Sequence, residues 1–201
     1  MAMSLTQECL SQKGTAEDSI SINESPGYVE PSLQDLLLLD VKHDTLVEIG
    51  ENMEIQYLGE NDEKPLFPVT GLLFMPNVRL MVNLICSRHK RSGKHGPQLN
   101  IIFLVDTGSP VTYLSQQAMH ALIGADGTNA PKSMKVKIHD GTVVICHISP
   151  QDKHFADVNV LGMDYLSIRQ LSMNIDYKQN TVVMLPSEME GAIQIARPGA
   201  A

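Results

Sequence analysis

The chain has 201 residues, enough for one well-packed domain with extensions. Its net charge of −8 argues against nucleic acid or an anionic membrane surface as the main partner. Its three cysteines (Cys9, Cys86 and Cys146) form no CxxC pair and suit a reducing compartment better than a disulfide framework.

The opening stretch "MAMSLTQECLSQKGTAEDS" lacks the apolar core of a signal peptide, and no apolar run approaches the ~20 residues of a membrane span. A cytoplasmic protein is therefore expected. Residues 1–33 are acidic, rich in Ser and poor in large apolar side chains, which predicts a disordered acidic N-terminal arm. Residues 34–75 read as an N-terminal β extension. It starts from "SLQDLLLLDV", a helix or a strand. "TLVEIG" and "MEIQYLG" follow as a hairpin about Glu51-Asn52, and "LFPVTGLLFM" as a further strand.

From residue 76 to 186 the β pattern strengthens. "VRLMVNLIC" (78–86) and "QLNIIFLV" (98–105) predict two strands, joined by the basic loop "SRHKRSGKHGP", which reads as a solvated hairpin loop. "MKVKIHDGTVVICHI" (134–148) alternates on both sides of Asp140-Gly141, a hairpin signal. "HFADVNVLG" (154–162) predicts another strand and "MNIDYKQNTVVML" (173–185) a terminal hairpin. Helices are expected at "SQQAMHALIG", capped by Ser115, and at "DYLSIRQL", capped by Asp164. Residues 187–201 read as a flexible tail. Cys86 and Cys146 fall in predicted strands as small buried hydrophobes. The histidines show no metal-ligand spacing, so no metal is expected.

One stretch does not fit a purely structural reading. "IIFLVDTGSPVTYLS" (101–115) places Asp106 at the end of an unbroken apolar run, where a carboxylate is costly unless something uses it. The sequence Asp106-Thr107-Gly108-Ser109, followed by Thr112, resembles the active-site loop of the retropepsin-like aspartic proteases, the retroviral and retrotransposon type. "VNVLGMDYL" (158–166) is similar to the apolar–apolar–Gly–x–Asp/Asn step that follows in that family. The terminal hairpin is similar to the corresponding segment of the DNA-damage-inducible retropepsin-like proteins.

The resemblance implies a mostly-β fold, a closed β-barrel of the acid-protease type, with one lobe per chain and two short helices. It implies that Asp106 is the catalytic residue and that Thr107, Gly108, Ser109, Thr112 and Gly162 support its loop. In such a site two adjacent carboxylates share one proton, and one acts as base on water while the other acts as acid on the carbonyl. Gly108 would bring its N–H to the carboxylate. Thr107 would bond across to a facing loop, and the Ser109 hydroxyl would donate to the outer oxygen of Asp106 and draw activity towards acid pH. Gly162 would let the "VNVLG" strand pack against the loop.

No second Asp-Thr/Ser-Gly is present, and Asp140-Gly141-Thr142 reads as a turn. The resemblance therefore implies a homodimer with one Asp106 from each chain, acting on a peptide or protein substrate without cofactor. Two departures stand out. Met163 occupies a position where retroviral enzymes often carry Arg, and only about residues 123–133 are left for a flap. The alternative is a catalytically silent module of the same fold that dimerises and binds protein.

Overall fold

A computed structural model describes residues 41–90, 96–124, 130–151 and 154–189. The expectations for the arm (1–33), for most of "SLQDLLLLDV", for residues 91–95 of the basic loop, for residues 125–129 of the flap region and for the tail beyond 189 lie outside them.

The chain is mostly β. In order come α1 (His43–Asn52), β1 (Val69–Phe74), β2 (Arg79–Arg88), β3 (Leu99–Val105), β4 (Tyr113–Leu114), α2 (Gln116–Ile123), β5 (Ser133–Ile138), β6 (Thr142–Ile148), β7 (Val160–Leu161), α3 (Met163–Ile168), β8 (Leu171–Asp176) and β9 (Thr181–Pro186), then a 3-10 turn at Ser187–Met189. The strands form one sheet in the order β3-β7-β4-β6-β5-β2-β1-β9-β8. A further pairing of β2 with β3, running from Met81↔Leu104 to Cys86↔Leu99, closes six of them into a ring. β2 can serve three neighbours because it is long: β1 pairs with its start and β5 with its end along the same edge. β1, β9 and β8 extend from the ring as a wing. Among the described residues, no helix is long and apolar enough to cross a membrane.

The unbroken apolar run of β3 follows from its two buried faces. Ile101, Phe103 and Val105 point to the ring interior with Leu84, Cys86, Leu114, Val136, Cys146, Leu161 and Tyr165. Ile102 and Leu104 point the other way, against Leu46 and Ile49 of α1 and Tyr57. Burial holds the Cys86 and Cys146 thiols above their ordinary range, so both stay protonated.

Two elements differ from the sequence expectation. The hairpin expected about Glu51-Asn52 is instead helix α1, so the described residues hold three short α-helices rather than two. Leu46 and Ile49 stand three apart, the spacing of one helical face, while Val47 and Glu48 between them are exposed. The Thr45 hydroxyl accepts the Lys42 N–H at 3.2 Å and caps the start. Docking Leu46 and Ile49 under β3 stabilises this arrangement by roughly 1.5–3 kcal/mol per side chain. The strand expected over 154–162 is reduced to Val160–Leu161, because Val158 N–H turns back to the Phe155 carbonyl at 3.0 Å.

The β5–β6 hairpin turns on His139, Asp140 and Gly141, with Ile138 paired to Thr142. Both His139 (φ 48°) and Gly141 (φ 92°) are left-handed. The His139 ring stacks edge-on to Phe67 and its Nε2 lies 3.0 Å from the Leu66 carbonyl, while its Nδ1 is buried with no partner. Donation from Nε2–H leaves Nδ1 as the bare nitrogen. Burial then holds His139 below its ordinary value of 6.5, against smaller upward pulls from the Leu66 carbonyl and Asp140.

A basic group with a depressed folded pKa binds its proton more readily when unfolded, so its effect on stability is absent above 6.5 and grows as pH falls below it. We therefore expect His139→Asn, which tolerates the left-handed backbone, to flatten the fall in melting temperature between pH 7 and pH 5.5. Parallel melting curves of the two proteins with the same slope across that window would rule His139 out as the cause.

Candidate active site

Asp106 follows directly on β3, and its backbone N–H donates to the Leu161 carbonyl of β7 at 3.1 Å, continuing the parallel Val105↔Leu161 register. β7 lies between β3 and β4: parallel to the first, antiparallel to the second. The loop 106–112 thus spans two strands that are adjacent in sequence but separated in space by a third.

Within the loop, Gly108 N–H donates to Asp106 Oδ1 at 2.8 Å, and Ser109 N–H donates to the Asp106 carbonyl at 3.2 Å. A Cβ on residue 108 would sit 3.1 Å from Oδ1, which is tight. Asp106 is half-buried, and Thr107 and Gly108 are exposed. Among the described residues, Asp106 Oδ2 accepts no hydrogen bond.

The Ser109 hydroxyl does not reach the carboxylate. Its single proton is donated to the Val111 carbonyl at 2.7 Å, so the expected bond to the outer oxygen of Asp106 is replaced by a local one that tightens the turn at Pro110. We accordingly expect Ser109→Ala to leave the pH optimum of any cleavage in place while lowering stability by about 1 kcal/mol, the worth of one neutral hydrogen bond. A pH–rate profile displaced by half a unit or more would show that the hydroxyl turns to the carboxylate.

The far end of the loop is held by α3. Met163 N–H donates to the Ser109 carbonyl at 2.8 Å and Asp164 N–H to the Pro110 carbonyl at 3.2 Å, so the first N–H groups of the helix are spent on the loop. Gly162, not Asp164, is the residue at the N-cap. The Asp164 carboxylate instead accepts from the buried Thr112 hydroxyl (2.6 Å), from Thr112 N–H (3.1 Å) and from its neighbour Tyr165 N–H (2.8 Å). The Thr112 hydroxyl oxygen in turn accepts Gly162 N–H at 3.2 Å. Gly162 passes so close to the loop that a Cβ there would lie 2.3 Å from the Val111 carbonyl oxygen.

Sequence reasoning placed Asp106, Thr107, Gly108, Ser109, Thr112 and Gly162 in one site, and the fold brings them together at the β3–β7–β4 junction. It read Asp164 as a helix cap and missed its role as a long-range acceptor for Thr112. It also missed Asn159 and Tyr57. Asn159 is wholly buried: its Oδ1 accepts Ser115 N–H at 2.9 Å, and its Nδ2 donates to the Tyr57 hydroxyl at 2.8 Å and the Ile102 carbonyl at 3.0 Å. Ser115 itself caps α2 through Ala118 N–H at 3.1 Å, as its sequence position suggested. Among the described residues, no three His, Cys, Asp or Glu side chains gather as metal ligands would.

Comparison with protein-family models and with curated proteins finds no match. Among solved structures, the chain is similar to the crystal structure of a retropepsin-like aspartic protease from Rickettsia conorii. That likeness has 16% identity over 59% of this chain and 89% of the other, with a TM-score of 0.39.

Proposed function

We propose that the chain is an aspartic endopeptidase of the retropepsin-like type, acting as a homodimer in which two copies each contribute Asp106. The observation that carries this reading is the Asp106–Ser109 loop itself. A carboxylate stands at the end of a buried strand, one oxygen is held by Gly108 N–H, and Thr107 and Gly108 are exposed beside it. A carboxylate held in this way suits a shared-proton pair, in which one member takes a proton from water as the other protonates the carbonyl oxygen. A single loop supplies one carboxylate, so the reaction needs a second copy. Thr107, Gly108, Ser109, Thr112 and Gly162 serve as loop support, the substrate is an extended peptide, and the chemistry requires no cofactor. Cytoplasmic location is part of the same proposal.

A second reading, a silent module of this fold that dimerises and binds protein, is favoured by one observation. α2 ends at Ile123 and β5 begins at Ser133, leaving only residues 124–132 for any cover over the substrate.

Cleavage of a diverse peptide mixture across a protein dilution series separates the two. The protease reading expects specific activity to fall as the dimer dissociates, with the mass change followed by sedimentation. Constant specific activity in a demonstrably monomeric sample would overturn the shared site, and dimers that cleave nothing at any pH would favour the silent module.

A further inference from the structure

We propose that Tyr57 is a positioning residue for Asp106, so that the segment preceding the sheet, α1 and the turn after it, is a working part of the site. The proposal rests on the reading of Asp106 given above. Tyr57 is almost wholly buried between α1 and β3, with its hydroxyl accepting from Asn159 Nδ2. Burial holds the phenol above its ordinary value of 10, so it remains a neutral hydroxyl.

Asn159 connects that hydroxyl to both flanks of the loop. Its side chain reaches Ile102 on β3 and Ser115 after β4, and its carbonyl accepts Leu104 N–H at 2.8 Å. The next two residues are β7, whose Leu161 carbonyl receives Asp106 N–H. Without the phenol oxygen, one Asn159 N–H is buried with no acceptor. The amide then has reason to rotate, and rotation releases the strands on either side of the loop. Leu58 N–H and the Gly59 carbonyl bind the Asn100 backbone at 2.8 and 3.0 Å, so the segment carrying Tyr57 is itself fastened to β3.

The decisive comparison is amide hydrogen exchange in the full chain of wild type, Tyr57→Phe and Leu46→Ala. The last loosens α1 by packing alone. We expect Tyr57→Phe to speed exchange at Leu104, Asp106 and Ser115 by on the order of tenfold, the effect of one lost hydrogen bond, with the β1–β9 wing nearly unchanged. Leu46→Ala should instead raise exchange without that selectivity. Unchanged exchange at those three amides in Tyr57→Phe, or a pattern matching Leu46→Ala, would overturn the proposal.

If the wild type cleaves peptides, Tyr57→Phe should also lower kcat by about tenfold with KM little changed, as expected for a loss felt only in the reacting geometry; an unchanged kcat overturns the proposal. A wild type that cleaves nothing defeats the reading of Asp106 instead, and the exchange pattern alone then decides whether Tyr57 positions the loop.

Discussion

On the proposed peptidase reading, Asp106→Asn will give a folded protein that cleaves peptides on the order of 10^2 to 10^4 times more slowly than wild type, the usual worth of a general acid–base group. The amide keeps the size of the side chain and can still accept Gly108 N–H through its oxygen, so the loop has no reason to collapse. It cannot take a proton from water. The change touches none of the bonds that fix the loop to β7 and α3: those run through Asp106 N–H, the Ser109 and Pro110 carbonyls, and Thr112. Melting temperature and activity should therefore separate, with the first near wild type and the second lost. Comparable turnover by both proteins on one peptide would remove Asp106 from the chemistry.

Gly162→Ala should be among the costliest single-methyl changes in the molecule. The backbone at 162 is an ordinary extended one (φ −93°), so the penalty is one of space. The new Cβ would fall 2.3 Å from the Val111 carbonyl oxygen, 2.4 Å from its carbon and 3.0 Å from Thr112 N. All three are main-chain atoms that cannot swing aside. Forcing β7 and the loop apart disturbs the Thr112–Asp164 bonds as well, and a loss of about 3 kcal/mol is expected. At roughly 2–4 °C per kcal/mol for a chain of this size, the melting temperature should drop by roughly 6–12 °C.

Gly141→Ala is the useful contrast. That site has open space but φ 92°, so its smaller cost, about 1 kcal/mol, is conformational. Thermal melts of the two variants should rank 162 well below 141. Equal values would mean that the loop and β7 are less closely packed than a 2.3 Å approach at residue 162 requires.

Much of this could be read from residues alone where the determining contacts are local. β2, β3, β5, β6 and the β8–β9 hairpin follow from runs of apolar and β-branched residues bounded by turn signals, and α2 follows from Ser115 at its cap. Local evidence failed where partners are distant. The segment 45–50 alternates well enough for a strand, and only the burial of Leu46 and Ile49 beneath β3 settles it as a helix. Asp164 meets Thr112 across 52 positions and Tyr57 meets Asn159 across 102, so nothing near any of them announces the partner. The Ser109 hydroxyl shows a different failure: it was expected to bond Asp106, three residues back, but the Val111 carbonyl, two residues on, takes its proton.

The placement of β7 bears on when the Asp106 loop can take shape during synthesis of the chain. β3 and β4 leave the ribosome within sixteen residues of one another (99–114), yet they do not pair with each other. The strand that joins them, and the helix that fastens the loop between them, arrive some fifty residues later. Hairpins β2–β3 and β5–β6 are close in sequence and can form early, whereas insertion of β7 is a long-range closure of the kind that folds slowly. Until residues 160–166 are in place, Asp106 N–H, the Ser109 and Pro110 carbonyls and the Thr112 hydroxyl all lack the partners that shape the loop. A nascent chain carrying the whole Asp-Thr-Gly-Ser sequence thus still has an unshaped loop, and the order of translation itself delays the loop's final form until the rest of the ring can contain it.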